Sequence, residues 1–201
     1  MIAIIDYDAG NIKSVEKALK YLGADPVLTR DPEVIAEAER VILPGVGAFG
    51  DAMERLGYFE LTEPVKKAAG SGKPFLGICL GLQLLFEESD EAPGVKGLSL
   101  LRGRVKKLPG GEGLKVPDIG WNSLKLPRKS RLFTEEDEGA FVYFVHSYYL
   151  EAADRGIVTS QIDYGVAVDA SVESGNVFAV QFHPEKSSDT GLGILQRFLR
   201  V

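Results

Sequence analysis

The chain is poor in the residues that build disulfides and metal sites. Only one cysteine and two histidines occur among its 201 residues. A single cysteine excludes an internal disulfide framework and is typical of proteins from a reducing cytoplasm. One cysteine and two widely separated histidines, His146 and His183, form no recognisable pattern of metal ligands. We therefore expect no metal and no cofactor.

Long apolar runs and an excess of positive charge are absent as well. No apolar segment approaches the ~20 residues that a membrane-spanning helix needs, and the first six residues lack the basic and cleavable segments of a signal peptide. A formal net charge of -6 argues against nucleic acid or an anionic membrane as partner. We expect a cytoplasmic protein with a single domain spanning residues 1–201.

Strand and helix patterns alternate in the first half of the chain. Short apolar runs predict strands at 2–6, 26–29, 41–43 and 75–78, and the segments between them predict helices at 12–22, 32–38 and 60–69. Asn11 is the expected N-cap of the first helix. Alternation with continuous apolar strands predicts an α/β fold whose mostly parallel central sheet has helices on both faces.

The second half has a different pattern. Short strands separated by turn residues are predicted at 105–108, 141–145, 157–161, 165–168 and 177–182, followed by a last helix at 190–199. This pattern predicts an antiparallel or mixed extension of the sheet. Ligands of a parallel sheet bind beyond the carboxyl ends of its strands.

Cys79 lies where a chain would place a nucleophile. An apolar run ends in Gly77-Ile78-Cys79-Leu80-Gly81, and an amphipathic stretch from Leu80 to Phe86 follows. Flanking glycines permit the sharp strand-to-helix turn of a nucleophile elbow. The start of a helix also favours the thiolate, because the backbone dipole is positive there. An isolated cysteine is otherwise a small buried hydrophobe, and the glycines favour the nucleophile.

His183 and Glu185 can supply the remaining groups of a catalytic triad. A nucleophilic cysteine needs a base that takes its proton, and that base needs a third group that orients it. His183 ends a strand-like run and is followed by Pro184 and Glu185. His146 competes for the role of base. Since no acidic residue is near His146 in sequence, we rank it second, as a packing or substrate-side residue.

The segment 44–50 (PGVGAFG) is a glycine-rich turn after the third predicted strand. Backbone N–H groups of such a turn can stabilise a developing oxyanion. The same letters match the dinucleotide-binding pattern Gly-x-Gly-x-x-Gly. We disfavour that alternative because a proline begins the segment and no acidic residue ends a strand about 20 residues later, as that pattern requires.

Together these segments resemble the class I, or triad-type, glutamine amidotransferases over essentially the whole chain. Within that family the chain is similar to the glutaminase subunits of imidazole glycerol phosphate synthase, an enzyme of histidine biosynthesis. Seven segments carry the resemblance: 6–11 (DYDAGN), 44–50 (PGVGAFG), 77–86 (GICLGLQLLF), 87–89 (EES), 120–122 (GWN), 143–148 (YFVHSY) and 181–187 (QFHPEKS). The resemblance implies a flavodoxin-like α/β fold.

The resemblance also implies a role for each matching position. Cys79 would attack the glutamine carboxamide to form a glutamyl thioester, with His183 as base and then acid, oriented by Glu185. The N–H of Leu80 and an N–H of the Val46-Gly47 turn would form the oxyanion hole. Four residues would hold the amino-acid end of glutamine: Gln83, Glu91, Ser147 and Tyr148.

The implied partner is a (β/α)8-barrel cyclase subunit in a heterodimer. It would use the ammonia to make imidazole glycerol phosphate and aminoimidazole carboxamide ribotide. The positions implied to face it are Asn11, Trp121, Asn122, Tyr143 and Lys186. The segment 120–122 is predicted to form an exposed turn. Asp118 stands where the family has a histidine near the interface. We expect it to favour a basic neighbour on the partner and Asp118→His to leave glutamine turnover intact.

Other functions remain open at this point. A cysteine peptidase or esterase could use a similar elbow, and a regulatory subunit could carry a retired site, although Cys79, His183 and Glu185 are all present. Glutaminase subunits for anthranilate, GMP, carbamoyl phosphate or pyridoxal phosphate synthesis share the triad. Segments 44–50 and 120–122 disfavour these subunits.

Overall fold

A ten-stranded sheet runs through the computed structural model, which describes residues 1–111 and 113–201. Ten of the twelve strands belong to this sheet, and β7 and β8 form a separate pair. In chain order the strands are β1 (Ile2–Ile5), β2 (Pro26–Thr29), β3 (Arg40–Leu43), β4 (Phe75–Ile78), β5 (Glu88–Ser89), β6 (Gly103–Lys107), β7 (Asp118–Ser123), β8 (Phe141–His146), β9 (Tyr148–Ala152), β10 (Val158–Asp163), β11 (Ala167–Ser174) and β12 (Val177–Val180). The helices are α1 (Ile12–Tyr21), α2 (Pro32–Glu37), α3 (Phe49–Tyr58), α4 (Thr62–Gly70), α5 (Leu80–Leu84) and α6 (Ser188–Phe198). None of the described helices is long and apolar enough to cross a membrane.

Five adjacent strands in the order β2-β1-β3-β4-β12 form the parallel half of the sheet. All four residues of β1 are buried. Ala3 and Ile5 pack with α2, α3 and α4, whereas Ile2 and Ile4 pack with α1 and α6 on the opposite face. Because successive side chains of a strand point to opposite faces, a strand covered on both sides is apolar throughout. The predicted α/β class, with helices on both faces, is confirmed.

The other half of the sheet continues from β12 through β11, β9, β6 and β5, and β10 pairs with β11. β11 and β12 are antiparallel, as are β11 and β9, and β9 and β6. The predicted antiparallel or mixed extension is therefore confirmed. β7 and β8 form a separate two-stranded antiparallel sheet.

Several local predictions differ from the structure, and β5 and β9 were not predicted. The segment 120–122, predicted as a turn, lies inside β7, because residues 118–123 pair with β8 far along the chain. α3 was not predicted; it begins at Phe49, inside the glycine-rich segment. α1 begins after Asn11 as expected, but Asn11 has φ 55° and its side chain makes no capping hydrogen bond.

Candidate active site

Cys79 occupies a sharp turn between β4 and α5. Its backbone has φ 55° and ψ -110°, a conformation that costs a non-glycine residue about 1–3 kcal/mol. The Cys79 N–H donates to the Val180 carbonyl at 2.8 Å and so ties the turn to β12. A Cβ atom at Gly81 would lie 1.8 Å from the Leu43 oxygen, so glycine is required for α5 to pack against β3. The predicted elbow is present.

His183 follows β12, the parallel neighbour of β4, so both strands end at the same edge of the sheet. His183 Nδ1 lies 2.8 Å from Glu185 Oε1, and the two side chains are 2% and 0% exposed. Asn11 Nδ2 donates to the same carboxylate oxygen at 3.2 Å. A carboxylate held in this way fixes the orientation of the imidazole.

Electrostatics favour the protonated form of this imidazole. Burial alone would lower the pKa of His183, but hydrogen bonds and charge interactions with Cys79 and Glu185 outweigh it and raise the pKa to about 10. Among the described residues, His183 Nε2 has no partner of full hydrogen-bond geometry. A proton at Nε2 is therefore available on the side of the ring opposite Glu185. The arrangement suits a thiolate–imidazolium pair.

Backbone contacts that sequence reasoning missed hold His183 in place. Ser187 Oγ donates to the His183 carbonyl at 2.6 Å and accepts from the Tyr143 N–H at 2.9 Å. The His183 N–H donates to the Tyr143 carbonyl at 3.0 Å. These contacts hold His183 against β8. The sequence signal for them was Ser187, the serine directly after the His-Pro-Glu-Lys segment.

The residues predicted for the oxyanion hole lie beside Cys79 around one cavity. The Leu80 N–H, however, donates to the Gly45 carbonyl at 3.2 Å, and the Val46 N–H donates to the Ala9 carbonyl at 3.3 Å. Gly47 has φ +98°, in the region that favours glycine. The structure brings these residues together without presenting the Leu80 and Val46 N–H groups as free donors.

The four residues predicted to bind the glutamine amino-acid end line that same cavity of about 270 Å³: Gln83, Glu91, Ser147 and Tyr148. Gln83 Nε2 donates to the Tyr148 carbonyl at 3.0 Å. Glu91 Oε2 accepts the Phe49 N–H at 2.8 Å. The cavity thus combines carboxylate, amide and hydroxyl groups with the thiol of Cys79, a lining that suits a small polar amino acid.

Gln181 is a buried residue beside Cys79 that we did not single out from the sequence. It is fully buried, its Nε2 lies 3.7 Å from Cys79 Sγ, and its Oε1 accepts from Gln83 Nε2 at 3.0 Å. A glutamine within the apolar run that ends in His183 was the signal, since a buried amide needs partners.

The surroundings predicted for Asp118 and His146 differ from those in the structure. Asp118 is 4% exposed, and its Oδ2 lies 3.6 Å from His146 Nε2. The expectation that Asp118 meets a basic group of a partner was wrong, because the carboxylate faces the interior. His146 does have an acidic neighbour, which sequence proximity could not reveal. His146 lines the cavity outside the triad, in line with its second rank.

The five predicted partner-face residues divide into two groups. The Trp121 and Tyr143 rings lie 6.0 Å apart, edge to face, and Lys186 Nζ lies 6.0 Å from the Tyr143 ring centre. Asn11 and Asn122 instead direct their amides inward, Asn11 to Glu185 and Asn122 to Asp118 at 2.8 Å.

Two apolar residues extend this surface. Ile119 on β7 is 61% exposed and Phe141 on β8 is 59% exposed, beside Trp121 at 48%. Contiguous exposed apolar side chains mark interaction sites. The β7–β8 pair therefore presents an apolar stripe close to the triad, since Tyr143 of β8 also bonds the backbone of His183.

No group of three or more potential metal ligands occurs within residues 1–111 and 113–201. The chemistry that the site itself supplies is nucleophilic: an elbow thiol, an oriented imidazole and a polar cavity.

Comparison with known proteins agrees with this geometry. The family model described as glutamine amidotransferase class-I matches residues 3–201. A Bacillus cereus (strain G9842) protein named imidazole glycerol phosphate synthase subunit HisH is 52% identical over 201 residues, covering 100% of this chain and 95% of that protein. The proteins of the same name from Methanothermobacter thermautotrophicus and Bacillus subtilis are 49% and 46% identical, again over 100% of this chain and 98% and 96% of theirs.

Solved structures show the same fold at lower identity. A crystal structure of a glutamine amidotransferase aligns with a TM-score of 0.77 at 20% identity, covering 100% of this chain and 98% of that one. The structure of PurLQS from Thermotoga maritima aligns with a TM-score of 0.74 at 24% identity, covering 99% and 97%.

Proposed function

The chain belongs to the class I glutamine amidotransferase family, and we propose that it is the glutaminase subunit of an imidazole glycerol phosphate synthase. It hydrolyses glutamine and passes ammonia to a (β/α)8-barrel cyclase subunit of a heterodimer. The observation that carries the proposal is the buried Glu185–His183 pair beside the Cys79 elbow, at the edge of a polar cavity. The chain has a single thiol, which is typical of proteins from the reducing cytoplasm, and we place it there.

The reaction follows from the positions of the protons. The Cys79 thiolate attacks the carboxamide carbon of glutamine, and the tetrahedral adduct collapses when His183 Nε2–H protonates the leaving nitrogen as ammonia. A glutamyl thioester remains on Cys79. His183, now neutral, takes a proton from water, which attacks the thioester and releases glutamate. One glutamine and one water become one glutamate and one ammonia.

Hydrolysis without a partner would waste glutamine, and the Val46-Gly47 turn offers a means of control. The Leu80 and Val46 N–H groups donate to Gly45 and Ala9, so a reorientation has to precede oxyanion stabilisation. The glycines on both sides of Val46 permit a peptide flip at low cost. Binding of the nucleotide substrate to the partner shifts the turn toward the competent state.

The apolar stripe on β7 and β8 is the surface for the partner. Trp121, Ile119 and Phe141 are exposed there, and Lys186 and Tyr143 add a cation and an aromatic ring. Aromatic residues with nearby cations are enriched at the centres of interfaces. A barrel docked on this stripe would cover the triad edge and receive ammonia directly.

The decisive experiment measures glutamate release by the chain alone, with a barrel-type cyclase subunit, and with that subunit plus its nucleotide substrate. We expect a large increase in the third mixture, and none in the same mixture with the Cys79→Ala variant. Full activity of the isolated chain would refute the gating. No activity in any mixture, with the Cys79 thiol confirmed reduced, would refute this pathway, and anthranilate, GMP or pyridoxal phosphate synthase partners would be tested next.

A further inference from the structure

A second buried carboxylate–imidazole pair lies beside the triad. Asp118 and His146 face each other across β7 and β8, and their side chains are 5% and 2% exposed. His146 and Pro117, the residue before Asp118, line the cavity that contains Cys79. His146 is thus part of the pocket wall, Asp118 lies next to it, and the hydrolytic steps above use neither residue.

The proton positions on His146 follow from its neighbours. Its Nδ1 lies 2.8 Å from the Tyr148 carbonyl oxygen. A carbonyl can only accept, so Nδ1 carries a hydrogen. His146 Nε2 faces Asp118 Oδ2 at 3.6 Å and makes no hydrogen bond to any of the described residues.

Contacts continue from this pair to the nucleophile. The Tyr148 carbonyl that accepts from His146 also accepts from Gln83 Nε2 at 3.0 Å. Gln83 donates further to Gln181 Oε1 at 3.0 Å, and Gln181 Nε2 lies 3.7 Å from Cys79 Sγ. The orientation of His146 therefore constrains the Tyr148 carbonyl and, through it, the amide of Gln83.

Asp118 is itself held in position. Asn122 Nδ2 donates to Asp118 Oδ2 at 2.8 Å, the same oxygen that faces His146. This contact keeps the carboxylate directed at the imidazole.

We propose that Asp118 and His146 are positioning residues that fix the Tyr148–Gln83 wall of the pocket and thereby set the affinity for glutamine, while His183 alone performs the acid–base chemistry. The inference rests on the proposed glutaminase function. It adds a role in glutamine affinity to residue 118, for which the sequence predicted only that Asp118→His leaves glutamine turnover intact.

The first test compares Asp118→Asn with a matched control, Asp163→Asn. Both changes remove one carboxylate charge and keep the side-chain shape, but Asp163 is exposed at the end of β10. Steady-state glutaminase activity is measured in the complex with the cyclase subunit and its nucleotide substrate. We expect the KM for glutamine to rise about tenfold in Asp118→Asn, since the bond from Asn122 Nδ2 at 2.8 Å loses its charged acceptor and the carboxylate is no longer held 3.6 Å from His146 Nε2, while kcat changes less than about threefold.

A double variant tests whether the two residues act as a unit. His146→Gln alone should raise the KM similarly, and adding Asp118→Asn should raise it no further, because residues of one network are not additive. An unchanged KM in Asp118→Asn, a kcat that falls as far as the KM rises, or additive effects in the double variant would overturn the proposal.

A spectroscopic test needs no catalysis. The chain has two histidines, so the ring-nitrogen NMR signals of His146 are assigned by their loss in His146→Gln. We expect Nδ1, which faces the Tyr148 carbonyl at 2.8 Å, to carry hydrogen in the wild type. A bare Nδ1 in the wild type would overturn the proposal, whatever the activity. Absence of glutaminase activity with a normal NMR signature would instead refute the proposed function.

Discussion

Replacing Glu185 with glutamine removes one negative charge from the buried side of His183 and keeps the shape of the side chain. Glu185 Oε1 accepts from His183 Nδ1 at 2.8 Å and from Asn11 Nδ2 at 3.2 Å. The side chain is fully buried, so bulk water cannot replace the lost charge. Both hydrogen bonds can persist in Glu185→Gln only as weaker, neutral-acceptor contacts.

The magnitude follows from the hydrogen bond. Bonds to charged groups contribute about 1.5–3 kcal/mol and neutral ones about 0.5–1.5 kcal/mol. The difference, about 1–2 kcal/mol, corresponds to a fall of about one in the pKa of His183, which is about 10 in the wild type despite the opposing effect of burial. The imidazolium, which persists as the pH rises toward 10, is then lost at lower pH.

Catalysis should suffer more than the pKa does. If the new side-chain amide of the Glu185→Gln variant instead turns its NH2 group toward Nδ1, it donates to that nitrogen and the ring proton moves onto Nε2, the nitrogen that must accept a proton from water. In a serine-protease triad the equivalent loss of the carboxylate lowers kcat about 10⁴-fold through the wrong tautomer. We expect Glu185→Gln to lower glutaminase kcat by about 10³- to 10⁴-fold.

Two assays check this reasoning. NMR titration of the His183 ring measures its pKa in the wild type and the variant, with the exposed Glu136→Gln change as control. Glutamate release by the complex measures kcat. An unchanged pKa of His183 would refute the assigned role of the Glu185 charge, and a kcat within tenfold of the wild type would refute the orienting role.

Two further substitutions test the framework of the site. Gly81→Ala places a Cβ 1.8 Å from the Leu43 oxygen and should lower the free energy of unfolding by about 3 kcal/mol, whereas Gly57→Ala, where the Cβ meets nothing within 4 Å, should not destabilise; thermal melting compares them. Tyr7→Phe deletes the buried hydroxyl that donates to the Pro44 carbonyl at 2.7 Å and should cost about 1–2 kcal/mol in urea denaturation. A stability loss below about 0.5 kcal/mol in either variant would contradict the contact assigned to it.

Features encoded within a few consecutive residues could be predicted well. The elbow required glycines on both sides of Cys79, and the triad base stood two residues before its carboxylate. The strands of the parallel half are short apolar runs between helices, since burial on both faces demands apolar residues throughout. These features depend only on residues that are close in sequence, so composition and spacing predict them directly.

Contacts between distant segments could not be predicted in the same way. Residues 118–123 form a strand only because β8 pairs with them, and that pairing places Asp118 against His146. The contact of Gln181 with Cys79, and of Asn11 with Glu185, depends on which strands become neighbours in the sheet.

The sequence by itself thus predicted the fold class and the elbow, and it singled out Cys79, His183 and Glu185 as the proposed triad. The tertiary structure decided which groups surround them: Asn11 behind the carboxylate, carbonyl acceptors on the Leu80 and Val46 N–H groups, and a second imidazole in the pocket wall. The physical reason is the distance along the chain over which each effect acts. Propensity and periodicity act over a few residues, whereas strand register and burial join side chains that the chain itself keeps far apart.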